Sequence, residues 1–170
     1  AASELVKRGC KHIGYIGSVS SIKNESMLRR KGFEEYVNKH QITSKVFEIK
    51  EPVLDLTESI SLFLEKNPEV DGLFCMNDKW ARDAISVCTK MGKTAPEHIQ
   101  IIGFDGAKMS IDSTVSHSTI VQPIRNLAET AVQKLLAIIS GKQVERRVVL
   151  PVTFQEGNST KSIDKLDKSS

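Results

Sequence analysis

The sequence has few aromatic residues and almost no excess of one charge. Aromatic side chains make up 5% of its 170 residues, and 24 Lys and Arg against 21 Asp and Glu leave a formal net charge of +3. That charge is too small to indicate a nucleic-acid surface. The basic residues fall in short, scattered clusters, and no aromatic residues alternate with them, as a platform for single-stranded nucleic acid requires. Nucleic-acid binding by this stretch itself is therefore not predicted.

Cysteine is also scarce. Cys10, Cys75 and Cys88 lie in apolar surroundings at unrelated spacings. An odd number of cysteines, with no CxxC pair and no Cys/His pair, argues against a disulfide framework and against a zinc site. We therefore predict buried free thiols in a reducing cytoplasm, and neither a metal nor a cofactor.

Long apolar runs and known catalytic motifs are missing as well. No run approaches the length of a membrane span, and the first four residues, AASE, do not resemble a signal peptide. No P-loop, GxGxxG, Ser-His-Asp or Cys-His arrangement appears, and the histidines fall in unrelated settings. A membrane partner and an enzymatic activity are therefore not predicted. Because the chain lacks an initiator Met and begins inside an apparent helix, we expect it to be part of a longer protein.

The clearest organised stretch covers residues 70–105. The run GLFCM at 72–76 is typical of a parallel strand that is buried on both faces. Asn77 and Asp78 then favour the start of a helix, and Gly92 is well placed to end it. A second apolar run at 99–104 stops at Asp105. The stretch is therefore predicted to be a strand, a helix and a second, parallel strand.

Polar side chains follow both of these strands. The carboxyl ends of parallel strands meet at one edge of a sheet, so Asn77, Asp78 and Asp105 are expected there together, and ligands of open α/β sheets bind at that edge. Arg29, near the start of a helix, can face the same edge. The alternative is that each Asn or Asp only caps a helix or turn, which is the commoner role of a single residue of this kind.

The rest of the chain alternates strands and helices in the same way, which predicts an α/β fold with a parallel sheet and helices on both faces. The last predicted strand contains Pro151, so it belongs at an edge of the sheet or at a crossing between two lobes. A polar tail at 161–170 is expected to be disordered. The remaining predicted elements are strands at 12–17 and 46–49, helices at 27–39 and 56–65, an extended segment at 115–121, a long helix at 124–140 and the last strand at 148–155.

Six motifs in this order resemble the effector-binding core of lactose-repressor-type (LacI/GalR) bacterial transcription regulators. They are GYIGS, RRKGF, DGLFCMNDKWA, P-x-x-I-x-I-I-G-F-D, STIVQPIRNLAETAVQKLL and VVLPVTFQEGNST, and they extend over residues 1–160. The resemblance implies a periplasmic-binding-protein-like fold, in which two α/β lobes enclose an effector. It also implies that the DNA-binding headpiece and the amino-terminal lobe are absent, and that this chain is mostly the carboxyl-terminal lobe with a crossover helix at 123–140.

The same resemblance assigns site residues. Arg29, Asn77, Asp105 and Gln122 match positions that line the effector pocket, and their guanidinium, amide and carboxylate groups suit the hydroxyl groups of a ligand. Trp80, Val115 and His117 match the expected homodimer face, although Trp80 could instead stack on a ligand. The apolar stripe of the crossover helix would lack its usual partner, so it is predicted to dock on a second copy or to rearrange.

The leading hypothesis is the effector-sensing and dimerising portion of a cytoplasmic repressor, with a sugar or sugar phosphate as effector. Operator DNA would be bound only through the missing headpiece. A nucleobase is less favoured, because a purine site needs more aromatic stacking. The alternative is a transport-associated periplasmic sugar-binding protein of the same fold, against which the unpaired cysteines argue.

Overall fold

Helices and strands alternate through most of the chain in the computed structural model, which describes residues 1–19, 25–50, 55–107 and 116–163. The predicted elements in these ranges are present, with shifts of a few residues at their ends. In chain order they are α1 Ala2–Lys7, β1 His12–Val19, α2 Glu25–Lys39, β2 Thr43–Lys50, α3 Leu56–Lys66, β3 Gly72–Cys75, α4 Asp78–Lys90, β4 Gln100–Asp105, β5 Ser118–Val121, α5 Ile124–Ile139 and β6 Thr153–Gln155.

The strands form one six-stranded sheet in the order β2-β1-β3-β4-β5-β6. Strands β1 to β5 are parallel to one another, and β6 is antiparallel to β5. The predicted parallel sheet is confirmed, and the last strand lies at the edge, as Pro151 indicated. Strand β6 is shorter than predicted and begins after Pro151, because proline has no N–H to donate to the sheet.

Helices cover both faces of the sheet, which explains the uninterrupted apolar runs. Successive residues of a strand point to opposite faces. Leu73 and Ile101 pack with the buried side chains of α3 and α4, whereas Phe74 and Ile102 pack with those of α1 and α2. All three cysteines are free and buried, as predicted.

Helix α4 begins where Asn77 and Asp78 predicted. The Asn77 side chain accepts a hydrogen bond of 2.9 Å from the Trp80 N–H, which is the usual geometry of a helix cap. Gly92 follows the helix with φ of +73°, a conformation that costs glycine little. This cap fixes the direction in which α4 leaves the carboxyl end of β3.

The carboxylate of Asp78 is buried below that end of the sheet, with 1% of the residue exposed. It accepts hydrogen bonds from the Ala107 N–H at 2.7 Å and from the Thr119 hydroxyl at 2.5 Å. Gly103 of β4 makes room for it, because a Cβ at that position would overlap Asp78 Oδ1. Asp78 therefore joins α4, the segment after β4, and β5.

Helix α5 has no buried residue. Its apolar side chains are exposed, up to 73% for Ile139. The predicted apolar stripe is therefore present, and the described parts of the chain leave it exposed. None of the helices within the described ranges has both the length and the apolar character needed to cross a membrane.

The segment after β6 packs against the sheet. Ser159 and Thr160 are buried, and the Lys161 N–H donates to the Gln100 side chain at 2.9 Å. Of the tail predicted to be disordered, 161–170, residues 164–170 lie outside the described residues.

The space at Gly103 gives a stability prediction with a matched control. Gly103→Ala would place its Cβ against Asp78 and 3.1 Å from the Ala81 Cβ, so we expect it to destabilise the chain by about 2 kcal/mol. Gly32→Ala on α2 has open space around its Cβ, and we expect it to stabilise the chain by about 0.5 kcal/mol or more. Urea unfolding of both variants measures the difference, and equal stabilities would contradict the packing described here.

The buried carboxylate predicts a dependence of stability on pH. Burial raises the pKa of Asp78, but the His117 ring, the Thr119 hydroxyl and the Ala107 N–H outweigh burial and lower that pKa below its ordinary value. The pKa of Asp78 is therefore lower in the folded chain than in the unfolded chain. The carboxylate stabilises the fold at pH values above the unfolded pKa, and this stabilisation is lost as the pH falls through the folded pKa.

Asp78→Asn should therefore cost about 2 kcal/mol at neutral pH, because it leaves a buried N–H donor unpaired. The difference from the wild type should shrink on acidification below the ordinary range of an aspartate pKa. Urea unfolding of both proteins across that pH range tests the prediction, and a difference that does not change with pH would contradict it.

Candidate functional site

Four predicted site residues lie at the carboxyl ends of β3, β4 and β5, where α2 passes the sheet. They are Arg29 of α2, Asn77 at the start of α4, Asp105 at the end of β4 and Gln122 after β5, and we call them the rim. Three of the four, Arg29, Asp105 and Gln122, are joined directly by hydrogen bonds. The predicted convergence of Arg29, Asn77 and Asp105 at one edge of the sheet is therefore observed.

Arg29 is held on three sides. One terminal nitrogen donates to the Met76 carbonyl at 2.6 Å and the other to Asp105 Oδ1 at 3.1 Å. Its guanidinium carbon lies 4.0 Å from the centre of the Phe104 ring, a cation–π distance. The planar guanidinium is therefore fixed in orientation before any ligand binds, with its remaining N–H groups at the rim.

Asp105 is in a backbone conformation that is rare for its residue type. Its φ is +119°, and that of the following Gly106 is +72°. Such strain persists only where surrounding contacts enforce it, and it occurs preferentially at functional sites. A side chain at Gly106 would collide with Val121, so β5 leaves room only for glycine there.

The Asp105 carboxylate accepts hydrogen bonds from two segments and is still partly exposed. Its Oδ1 accepts both from Arg29 and from the Gln122 side-chain amide, the latter at 2.8 Å. Its side chain is 38% exposed, and Oδ2 makes no hydrogen bond to another described residue. The carboxylate thus keeps one oxygen that can accept hydrogen bonds from a ligand.

Asn77 has the capping role that the alternative interpretation gave it. Its side-chain oxygen is engaged by the Trp80 N–H. Its side-chain NH₂ has no partner among residues 1–19, 25–50, 55–107 and 116–163, so capping does not use the group that could donate to a ligand. Effector binding by Asn77 stays a prediction.

The residues predicted for the dimer face have contacts within the chain. Trp80 of α4 is 5% exposed, and it packs in the core with buried residues of the sheet and of α3. His117 is 3% exposed, and its Nε2 lies 3.1 Å from Asp78 Oδ1. Val115 lies outside the described residues. The dimer contact stays a prediction, and the Trp80 and His117 side chains leave little surface for it.

Sequence reasoning missed three contributors to this site. Phe104 was predicted only as part of a buried strand, yet its ring supports Arg29. The Met76 carbonyl and the Thr119 hydroxyl were not considered. Only the position of Phe104 directly before Asp105 could have been a signal, because side chains next to a strand end lie close to the ligand-binding edge.

The rim offers hydrogen-bond donors and acceptors rather than metal ligands. Among the described residues no cluster of three or more His, Cys, Asp and Glu side chains could hold a metal ion. A guanidinium and amide N–H groups donate, and a carboxylate and amide oxygens accept. This combination suits a small molecule that carries several hydroxyl groups.

Residues 2–160 match the family model of periplasmic binding protein-like domains. The ribose operon repressor of Halalkalibacterium halodurans is 27% identical over 162 residues, which are 95% of this chain and 49% of that protein. The HTH-type transcriptional regulator GntR of Pseudomonas aeruginosa is 32% identical over 152 residues, which are 85% of this chain and 43% of that protein. The chain thus spans about half the length of these relatives.

Solved structures show the same architecture. A periplasmic binding protein/LacI transcriptional regulator from Alkaliphilus metalliredigens, complexed with D-xylulofuranose, superposes with a TM-score of 0.78 at 28% identity over 95% of this chain and 61% of that one. A LacI family regulator from Arthrobacter sp. FB24 shares the fold, with a TM-score of 0.82 at 22% identity over 94% of this chain and 60% of that one. The chain therefore belongs to the family of periplasmic binding protein-like domains, within the lactose-repressor-type (LacI/GalR) group.

Proposed function

We propose that this chain is the effector-sensing and dimerising portion of a bacterial LacI-type transcriptional repressor. The rim binds a small sugar or sugar phosphate, and a second lobe supplies the other side of the cleft. Ligand binding changes how the two lobes close, and this changes the operator affinity of a DNA-binding headpiece outside this chain. The reduced, buried thiols suit a cytoplasmic protein.

The observation that carries the proposal is the shared carboxylate of Asp105. Its strained backbone, its partners Arg29 and Gln122 and an Oδ2 without a hydrogen bond to any other described residue form a preorganised arrangement of donors and acceptors. Vicinal hydroxyl groups of a sugar can donate to the carboxylate and accept from the guanidinium at the same time. Because these groups are already oriented, binding loses little conformational entropy in the protein.

The relatives support the same class of effector. Their names include a ribose operon repressor and a sucrose operon repressor, and one similar solved structure is a complex with D-xylulofuranose. The rim itself offers a guanidinium, amides and a carboxylate, which can donate to and accept from the hydroxyl groups of a sugar.

For this chain by itself, we propose dimerisation through the apolar face of α5, because the family resemblance makes the amino-terminal lobe the usual partner of this helix. Val132, Leu135, Leu136 and Ile139 are all more than half exposed and recur at helical spacing. Burying such a stripe against a second copy would remove it from water. The alternative of a transport-associated sugar-binding protein is less favoured, because the relatives reported above are named as regulators and the three thiols are unpaired.

We expect D-ribose or a related sugar to bind this chain through the rim. Titration of the ¹⁵N-labelled chain with D-ribose, D-ribose 5-phosphate, sucrose and adenine, followed by NMR, detects the weak binding expected of one lobe. Asp105→Ala and Arg29→Ala should each abolish the ligand-induced shifts, because each removes half of the central ion pair. Circular dichroism checks that both variants fold.

Asp83→Ala is the matched control, because Asp83 forms an exposed ion pair with Lys79 on α4, away from the rim. It should leave the ligand-induced shifts unchanged. Shifts that survive in both Asp105→Ala and Arg29→Ala would remove the rim from the proposed function.

The dimer is tested by sedimentation of the unmodified chain and of charged variants. The wild type should sediment as a dimer, and Leu135→Lys with Ile139→Lys should shift it to a monomer, because lysine at a buried contact costs desolvation energy. Leu62→Lys on α3 replaces another exposed leucine and should leave the dimer intact. A monomeric wild type would contradict dimerisation through α5.

A further inference from the structure

Below the rim lies a pair of buried titratable groups that the proposed function does not use. His117 and Asp78 are 3% and 1% exposed, and His117 Nε2 lies 3.1 Å from Asp78 Oδ1. The contact has ion-pair distance but not the direction of a hydrogen bond, and neither ring nitrogen of His117 has a hydrogen-bond partner among the described residues. A buried imidazole with so few partners is unusual.

Asp78 is linked to the residues that follow Asp105 by two short paths. Its Oδ2 accepts directly from the Ala107 N–H at 2.7 Å. Its Oδ1 accepts from the Thr119 hydroxyl at 2.5 Å, and the oxygen of that hydroxyl in turn accepts from the Gly106 N–H at 3.4 Å. The two peptide groups directly after the strained Asp105 are therefore both tied to one carboxylate.

The pair also lies next to the other rim segments. Asp78 comes directly after Asn77 in the sequence. Two residues before it is Met76, whose carbonyl orients Arg29. Thr119 lies three residues before Gln122 in β5 and its exit. A change in the charge of His117 therefore acts close to the segments that carry Asn77, Asp105 and Gln122.

We propose that Asp78 and His117 form a proton-linked positioning pair, which holds Asp105 in its strained conformation and makes effector binding at the rim depend on pH. With His117 protonated, opposite charges face each other and the Asp78 carboxylate is held firmly toward Thr119 and Ala107. With His117 neutral, that compensation is lost and the ties to Gly106 and Ala107 loosen. The part of this inference that concerns effector binding rests on the function proposed above.

Other charged groups around the pair are engaged elsewhere. On α4, Asp83 pairs with Lys79 at 2.9 Å. On β3, burial raises the pKa of the Cys75 thiol well above its ordinary value, so the thiol is uncharged. On β4, the Asp105 carboxylate faces Arg29 and Gln122. The segment 157–160, whose Gly157 packs on the His117 backbone, has no charged side chain.

The test follows backbone amides and histidine rings of the labelled chain by NMR across the pH range in which histidine titrates. The Gly106 and Ala107 amides should shift with the same midpoint as the His117 ring. His117→Leu should abolish this transition, whereas His40→Gln, at an exposed position after α2, should leave it in place.

Thr119→Val is a second variant of nearly unchanged volume. It removes only the hydroxyl relay, so the Ala107 amide should keep its transition and the Gly106 amide should lose it. Amides that do not move with His117, or that move equally in His117→Leu, would overturn the proposal.

The effect on the rim is measured with D-ribose as the probe. The dissociation constant of the wild type should rise roughly fivefold on deprotonation of His117, and that of His117→Leu should not vary with the same midpoint. If ribose does not bind at any pH, the proposed effector class fails while the amide titration still decides the positioning role. Ribose binding that is equally strong at all pH values overturns the link to the effector.

Discussion

The carboxylate of Asp78 lies out of water, in the space that Gly103 leaves between α4 and the sheet. A buried charge is costly unless hydrogen bonds and an opposite charge compensate it. Here the compensation comes from Thr119 and His117 of β5 and from the Ala107 N–H after β4. Asp78 therefore ties α4 to β5 and to the segment after β4, and these elements lead to Asn77, Gln122 and Asp105 of the rim.

The groups of the rim above this carboxylate are held in place by contacts within the chain. Arg29 is fixed by Phe104, the Met76 carbonyl and Asp105, and Asp105 keeps a strained backbone conformation between them. Strain of this kind costs about 1–3 kcal/mol. The neighbouring contacts that sustain it are the same ones that orient the hydrogen-bond donors and acceptors of the rim.

The other exposed feature, α5, follows from the same architecture. None of its apolar residues is buried by another described segment, whereas helices cover both faces of the sheet. The chain spans about half the length of its relatives. The rim and α5 are two surfaces of different character on it. The rim is polar and ordered by hydrogen bonds, and α5 is apolar and suited to protein contact.

The sequence by itself determined the covered parallel sheet, the start of α4 at Asn77 and the exposed stripe of α5. These depend on local patterns: runs that are apolar on both faces, a capping side chain and a helical repeat. The sequence also indicated, through its family resemblance, which residues meet at the rim. Only the tertiary structure decided that Asp78 and His117 are buried together, that Trp80 is a core residue and that Asp105 is strained. Such properties depend on which distant segments, such as Gly103 and Thr119, come within a few ångströms of a side chain, and local patterns do not carry that information.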